Sequence, residues 1–151
     1  MEEKKRNIPK VIYMGAISPE FIAESIAKHS SKRNIGAHTI FLGQVRNDLI
    51  AGKEVTGIEY SAYEEMAEAQ FYAIREEAFE KFDLSCMHIY HSSGVVKTGE
   101  ISLFVFVSAK HRKQVFDACS FIVEAIKSSV PVWGKELFDD GSHVWKTNSQ
   151  I

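Results

Sequence analysis

The stretch GEISLFVFVSAKHRKQVFDACSFIVEAIK, Gly99 to Lys127, decides the fold. Its first part, Glu100 to Ser108, reads as a strand. Ile101, Leu103, Val105 and Val107 share one face, and Phe104 and Phe106 lie on the other. Apolar side chains on both faces predict an internal strand covered from both sides. Its second part, His111 to Ser128, reads as a helix whose buried stripe is Val115, Cys119, Ile122 and Ile126 at 4-3-4 spacing.

The sequence on either side supplies the remaining elements. Lys10 to Met14 is a short strand. SPEF then opens a helix, with Ser18 as N-cap, Pro19 at the first helical position and Glu20 in the first turn. Gly36 to Val45 and Val55 to Tyr60 are strands, separated by the loop RNDLIAGKE. Tyr63 to Phe82 is helical, with Phe71, Ile74, Ala78 and Phe82 at 3-4-4 spacing. Ser85 to His91 is a strand followed by SSG, read as a turn. Downstream, Val130 to Phe138 is extended, DDGSH turns, and HVWK forms a last short strand. Strand pairs alternating with helices imply an α+β protein with a mainly antiparallel sheet. Residues 1–9 read as a flexible tail and 10–151 as one domain.

The bulk numbers exclude several classes. The chain is 45% hydrophobic and 25% charged, and its formal net charge is −2, so no global basic field argues for nucleic acid or an anionic membrane. No apolar run is long enough to span a bilayer. MEEKKRNIPK lacks the apolar core of a signal peptide, so a cytoplasmic protein is expected. Cys86 and Cys119 form no CxxC pair and read as two buried thiols. There is no GxGxxG, no GxxxxGK[ST], no nucleophile elbow and no HExxH or HxH pattern. No metal and no cofactor are expected on these grounds. His38 reads as packed mid-strand, and His88 and His91 flank a strand end.

Five cationic or titratable residues gather at element ends: Arg46, His111, Arg112, Lys127 and Lys135. Each alone has a structural explanation. A lysine near a helix C-terminus, such as Lys127, is favoured by the macrodipole by about 0.3–1 kcal/mol without any function. His111 and Arg112 open a helix, where cations oppose the dipole. A bound anion there would receive free backbone N–H groups and the guanidinium together. Taken as a group, the five point to an anion site.

At this point the chain resembles a known family, the large catalytic subunits of molybdopterin synthase, or MoaE type. The matching pieces are GAHTIFLGQVRN, IEYSAYEEMAE, SAKHR, FIVEAIKSSVPVWGKE and HVWK, in the family's order. The resemblance spans Val11 to Trp145 and implies the α/β-hammerhead fold, an α+β arrangement with a small additional β subdomain. It also implies a homodimer in which each subunit binds a small ubiquitin-like sulfur carrier, giving a heterotetramer. The carrier's C-terminal Gly-Gly thiocarboxylate would deliver sulfur to cyclic pyranopterin monophosphate. Two such transfers would build the dithiolene of molybdopterin, in molybdenum cofactor biosynthesis.

Carried over by position, Lys127 matches the first catalytic lysine. Gln44, Val45, Arg46, His111, Arg112, Gly134 and Glu136 match substrate-binding positions, with His111 and Arg112 reaching the site from either subunit. One departure stands out. The family commonly reads P-x-W-K-[KR]-E where this chain reads PVWGKE, so Gly134 occupies the place of the second active-site lysine. Either Gly134 lets the strand bend and Lys135 enters the pocket as a catalytic group, or Lys135 faces solvent and Lys127 works with other groups. The second outcome leaves open a catalytically impaired member that only binds the carrier.

Overall fold

The computed structural model describes residues 11–147. The expected tail, residues 1–9, and Lys10 lie outside the described residues. The strand that the sequence marks as internal is β6 (Ile101–Ala109), and eight of its nine residues are buried. It lies between β2 (Ala37–Gln44) and β5 (Cys86–Lys97), antiparallel to both. The sheet continues from β5 through β4 (Lys53–Ala62) and β7 (Val132–Phe138) to β8 (His143–Thr147). Two short strands attach to it. β1 (Ile12–Met14) runs parallel to β5, and β3 (Leu49–Ile50) runs antiparallel to β4.

The two apolar faces of β6 meet different layers. Phe104 and Phe106 pack with Ile17 and with Ile22 of α1 (Pro19–His29). Leu103, Val105 and Val107 pack against α2 (Glu64–Lys81), through Phe71, Ile74 and Ala78, and against α3 (Arg112–Ser129). α3 buries the expected stripe, Val115, Cys119, Ile122 and Ile126, with Ala118 between. α1 starts as read, with the Ser18 hydroxyl accepting the Phe21 N–H at 3.1 Å. The α+β class and the mainly antiparallel sheet are as expected. The additional β portion, β3, β4, β7 and β8, joins the rest through β5. No described helix is long and apolar enough to cross a membrane.

Local readings fail where long-range pairing decides. SSG is not a turn, because Ser92, Ser93 and Gly94 lie inside β5. That strand pairs with β6 over Cys86–His91 and with β4 over Gly94–Lys97. Gly94 has φ 86°, so the chain bends at the point where it changes partners. The loop RNDLIAGKE contains β3 and a two-residue hairpin. Its central residues, Ala51 (φ 51°) and Gly52 (φ 80°), both have the positive φ of a type I′ turn. His38 is exposed rather than packed, and its Nδ1 lies 2.7 Å from the Ser108 hydroxyl.

Phe106 sits on the doubly covered strand and is fully buried. Phe106→Ala is expected to cost about 3–5 kcal/mol of stability, read by urea unfolding. Val144→Ala, at an exposed position of β8, is expected to stay within about 0.5 kcal/mol.

Candidate active site

The bent sheet and the C-terminal end of α3 enclose a cavity of about 270 Å³. One wall is the end of β2 with the residues that follow it. There the register passes from Gly43↔Leu103 to Gln44↔Ile101 and skips Ser102. Such bulges re-aim side chains beside functional sites. Gly43 also permits a close approach, since a Cβ there would sit 3.1 Å from the Leu103 Cβ. Val45 is buried and held on both sides: its N–H donates to the Glu100 carbonyl at 3.0 Å, and its carbonyl accepts from Gly99 at 2.8 Å. Arg46 follows at the rim, 75% exposed, and pairs with Asp48 at 3.1 Å.

The floor is polar and buried. The Tyr60 hydroxyl donates to Ser102 Oγ at 3.1 Å. Burial pushes the Tyr60 pKa up, the hydrogen bond with Ser102 opposes that, and the nearby Glu136 carboxylate adds to it, so Tyr60 stays a phenol. Lys127 enters from the last turn of α3. It is half-buried, and desolvation lowers its pKa below the usual lysine value. Behind the floor, His91 is buried, with its Nδ1–H donating to the Ser92 carbonyl at 2.8 Å and its ring 5.2 Å from that of Tyr60. Burial drives the His91 imidazole down to about 4. The Ser92 bond opposes that shift, and the Lys127 charge reinforces it.

The cavity therefore brings together Gln44, Val45, Arg46, Lys127 and Glu136. It does not bring in Lys135. β7 runs through Gly134 without a register break, pairing Tyr60↔Gly134 on one side and Gly134↔Lys146 on the other. Alternation then holds: Gly134 and Glu136 face inward, and Lys135 faces the other way. The Lys135 ammonium lies over the Trp145 ring, 5.7 Å from its centroid. The bend expected at Gly134 is absent, and a straight strand cannot deliver adjacent side chains to one pocket. Trp133, on the same outward face, is 41% exposed and not part of the core.

Sequence reasoning missed Lys146. It stands directly across from Gly134 on β8 and lines the cavity with Lys127. Residues opposite each other on paired strands share a face. Gly134 has no side chain, so the Lys146 chain can pass over it. Its ammonium ion-pairs with Glu136 Oε1, whose side chain is only 7% exposed. The signal was present: a hairpin folded about DDGS pairs Leu137 with His143 and so Gly134 with Lys146.

His111 and Arg112 are exposed at the opposite end of α3 from Lys127. Lys127 lies fifteen positions along the helix from Arg112, about 22 Å at 1.5 Å per residue. Within one subunit they do not share the cavity. The first turn of α3 has no acidic residue, and His111 makes no side-chain cap, so its backbone N–H groups remain open to an anion.

The family model described as "MoaE protein" matches residues 17–129. A molybdopterin synthase catalytic subunit from Pyrococcus abyssi is 42% identical over 120 residues, covering 80% of each chain. This chain belongs to the MoaE family. It spans 59% of a longer rice relative of the same name. The crystal structure of molybdopterin synthase from Staphylococcus aureus superposes with a TM-score of 0.79 at 30% identity, covering 90% of this chain and 95% of that one. A complex of subunits 1 and 2 of molybdopterin-converting factor from Helicobacter pylori shares the fold, with a TM-score of 0.77 at 21% identity over 89% of this chain and 88% of that one. The MoaE match ends at Ser129, so the β7–β8 hairpin with Gly134, Glu136 and Lys146 lies beyond it.

The buried neutral His91 makes stability pH-dependent. Its folded pKa, about 4, lies below the ordinary 6.5, so the unfolded chain binds the proton first. Stability is fully present above pH 6.5 and falls as the pH drops towards 4, by roughly 3 kcal/mol from this residue. His91→Asn is expected to flatten that part of the profile, measured by urea unfolding at a series of pH values.

Proposed function

We propose that this chain is the catalytic subunit of a molybdopterin synthase. In this reading it is a sulfurtransferase that moves sulfur from the C-terminal Gly-Gly thiocarboxylate of a small ubiquitin-like partner to cyclic pyranopterin monophosphate. Two transfers form the dithiolene. The observation that carries the reading is the cavity in which Lys127 and Lys146 converge beneath Arg46.

Both reactants are anions, the phosphate of the pterin and the thiocarboxylate of the carrier. Bringing them together needs fixed positive charge in a partly desolvated site. Arg46, at the rim, suits the phosphate, because a guanidinium offers a planar pair of donors. Lys127, half-buried at the end of α3, holds the thiocarboxylate. Its lowered pKa lets it exchange a proton more readily than an exposed lysine would. Lys146, anchored by Glu136, supplies the second ammonium from β8 in place of a side chain at position 134. In each transfer the thiocarboxylate sulfur bonds to the pterin, and water then cleaves the acyl C–S bond, leaving the sulfur on the product and an ordinary carboxylate on the carrier.

His111 and Arg112 belong to the substrate-binding set through dimerisation. They lie about 22 Å from Lys127 along α3, so a second copy of the chain has to present them. The resulting assembly is a homodimer of this subunit with one small partner on each copy. The lysine missing from position 134 favours a second reading, a member that binds the carrier without turnover, and the same assay separates the two.

With the thiocarboxylated small subunit and cyclic pyranopterin monophosphate, the purified protein is expected to form the dithiolene product. Lys127→Ala is expected to lower the rate by about 10²–10³-fold. Lys146→Ala is expected to lower it by more than about tenfold, and Lys135→Ala to stay within about twofold. Carrier binding with no product from the wild type would support the binding-module reading. A Lys127→Ala rate near that of wild type would refute the assignment of that residue.

A further inference from the structure

On the other side of the sheet from the cavity, three metal-ligating side chains converge from two elements. His29 closes α1, and Cys86 and His88 are the first and third residues of β5. Alternate strand residues share a face, and here that face looks towards α1. His29 Nε2 lies 3.1 Å from His88 Nε2, and one donor atom from each of the three residues lies within 4.8 Å of the others. His29 and Cys86 are buried, and His88 is half-buried.

The hydrogen bonding orients the group. His29 Nδ1 is 2.7 Å from the Ser25 carbonyl oxygen. A carbonyl only accepts, so Nδ1 carries the proton and Nε2 presents a lone pair inward. A ring N–H tied to a backbone carbonyl is the usual outer support of a metal-binding histidine. Two nitrogens on a tetrahedral zinc ion, each about 2.0–2.1 Å from the metal, sit about 3.3 Å apart. The observed separation is close to that. A zinc–sulfur bond of about 2.3 Å asks the Cys86 sulfur to stand about 3.6 Å from each nitrogen, which is about 1.2 Å inside the 4.8 Å within which the three donor atoms lie. Phe106 floors the group, with its ring centroid 4.7 Å from that of His29. Lys32 covers its outer side from an exposed loop, its ammonium 2.8 Å from Cys86 Sγ. His88 Nε2 donates to His29 Nε2 in the metal-free arrangement, so zinc binding asks the His88 proton to move to Nδ1, while the long Lys32 chain swings away from Cys86 Sγ.

We propose that His29, Cys86 and His88 form a zinc(II) site, with water in the fourth position, that clamps the end of α1 to β5. Thiolate and imidazole donors suit zinc and not magnesium or calcium. The sequence shows no spacing signal for it, because His29 and Cys86 are 57 positions apart and only the packing of α1 unites them.

The test uses the full chain without a histidine tag, stripped with a chelator and then titrated with zinc, with cobalt(II) as a spectroscopic reporter. One zinc per chain, a raised Tm and a cobalt–thiolate charge-transfer band are expected. Cys86→Ser is expected to lose that band and to weaken zinc binding by at least about tenfold, and Cys119→Ser on α3 to keep both. His88→Gln, checked for folding by circular dichroism, gives a second reading in case the cysteine variant misfolds. The proposal is overturned if the wild type binds zinc no more tightly than Cys86→Ser and His88→Gln, if the cobalt spectrum lacks the thiolate band, or if Cys119→Ser abolishes it.

Discussion

The structure depends on one strand that has no solvent face. β6 must bury Phe104 and Phe106 on one side and Leu103, Val105 and Val107 on the other. A register slip of one residue would exchange these two sets, pressing phenyl rings into the α2–α3 layer and short aliphatic groups against α1. Neither layer has room for the exchange, because interiors pack near crystal density. That constraint fixes where β2 and β5 lie, and so where the bulge at Gln44 opens. It also fixes α3, whose stripe seals one face and whose last turn carries Lys127 to the cavity.

Burial shifts the protonation equilibria of several groups in and behind the cavity. Lys127 loses hydration and becomes a weaker base. Tyr60 and His91, deeper still, are held neutral by the same effect acting on opposite kinds of group. Glu136 is a carboxylate kept in the interior by the ammonium of Lys146. Removing either partner would leave the other charge uncompensated, so this pair is worth more as positioning than as stability.

Much of this was legible in the order of residues, and the failures share one cause. Helix stripes, the Ser18 cap and the doubly apolar strand are local patterns, and a local reading recovers them. Arg46 and Lys127 were legible as cations at element ends, and Gln44, Val45 and Glu136 came with the family resemblance; all five line the cavity. Lys135 was considered and Lys146 overlooked because nearness along the chain stood in for nearness across the sheet. The choice turned on β7–β8 register, which one residue of slip would reverse. SSG looked like a turn because a bend inside a strand and a turn between strands use the same residues. The histidine–cysteine group was invisible for the same reason: its members meet only after α1 has docked.

Gly94 shows how little of such a requirement appears as contact. A Cβ built there would meet nothing within 4 Å, so by packing alone any residue fits. Its φ of 86° nonetheless lets one strand serve two partners, β6 before the bend and β4 after it. The lysines approach from opposite sides of that joint, Lys127 on the helix packed against β6 and Lys146 on the hairpin that hangs from β4. The frame that carries the two lysines thus runs through the backbone at Gly94, and a side chain at position 94 would act on the site as a change of angle.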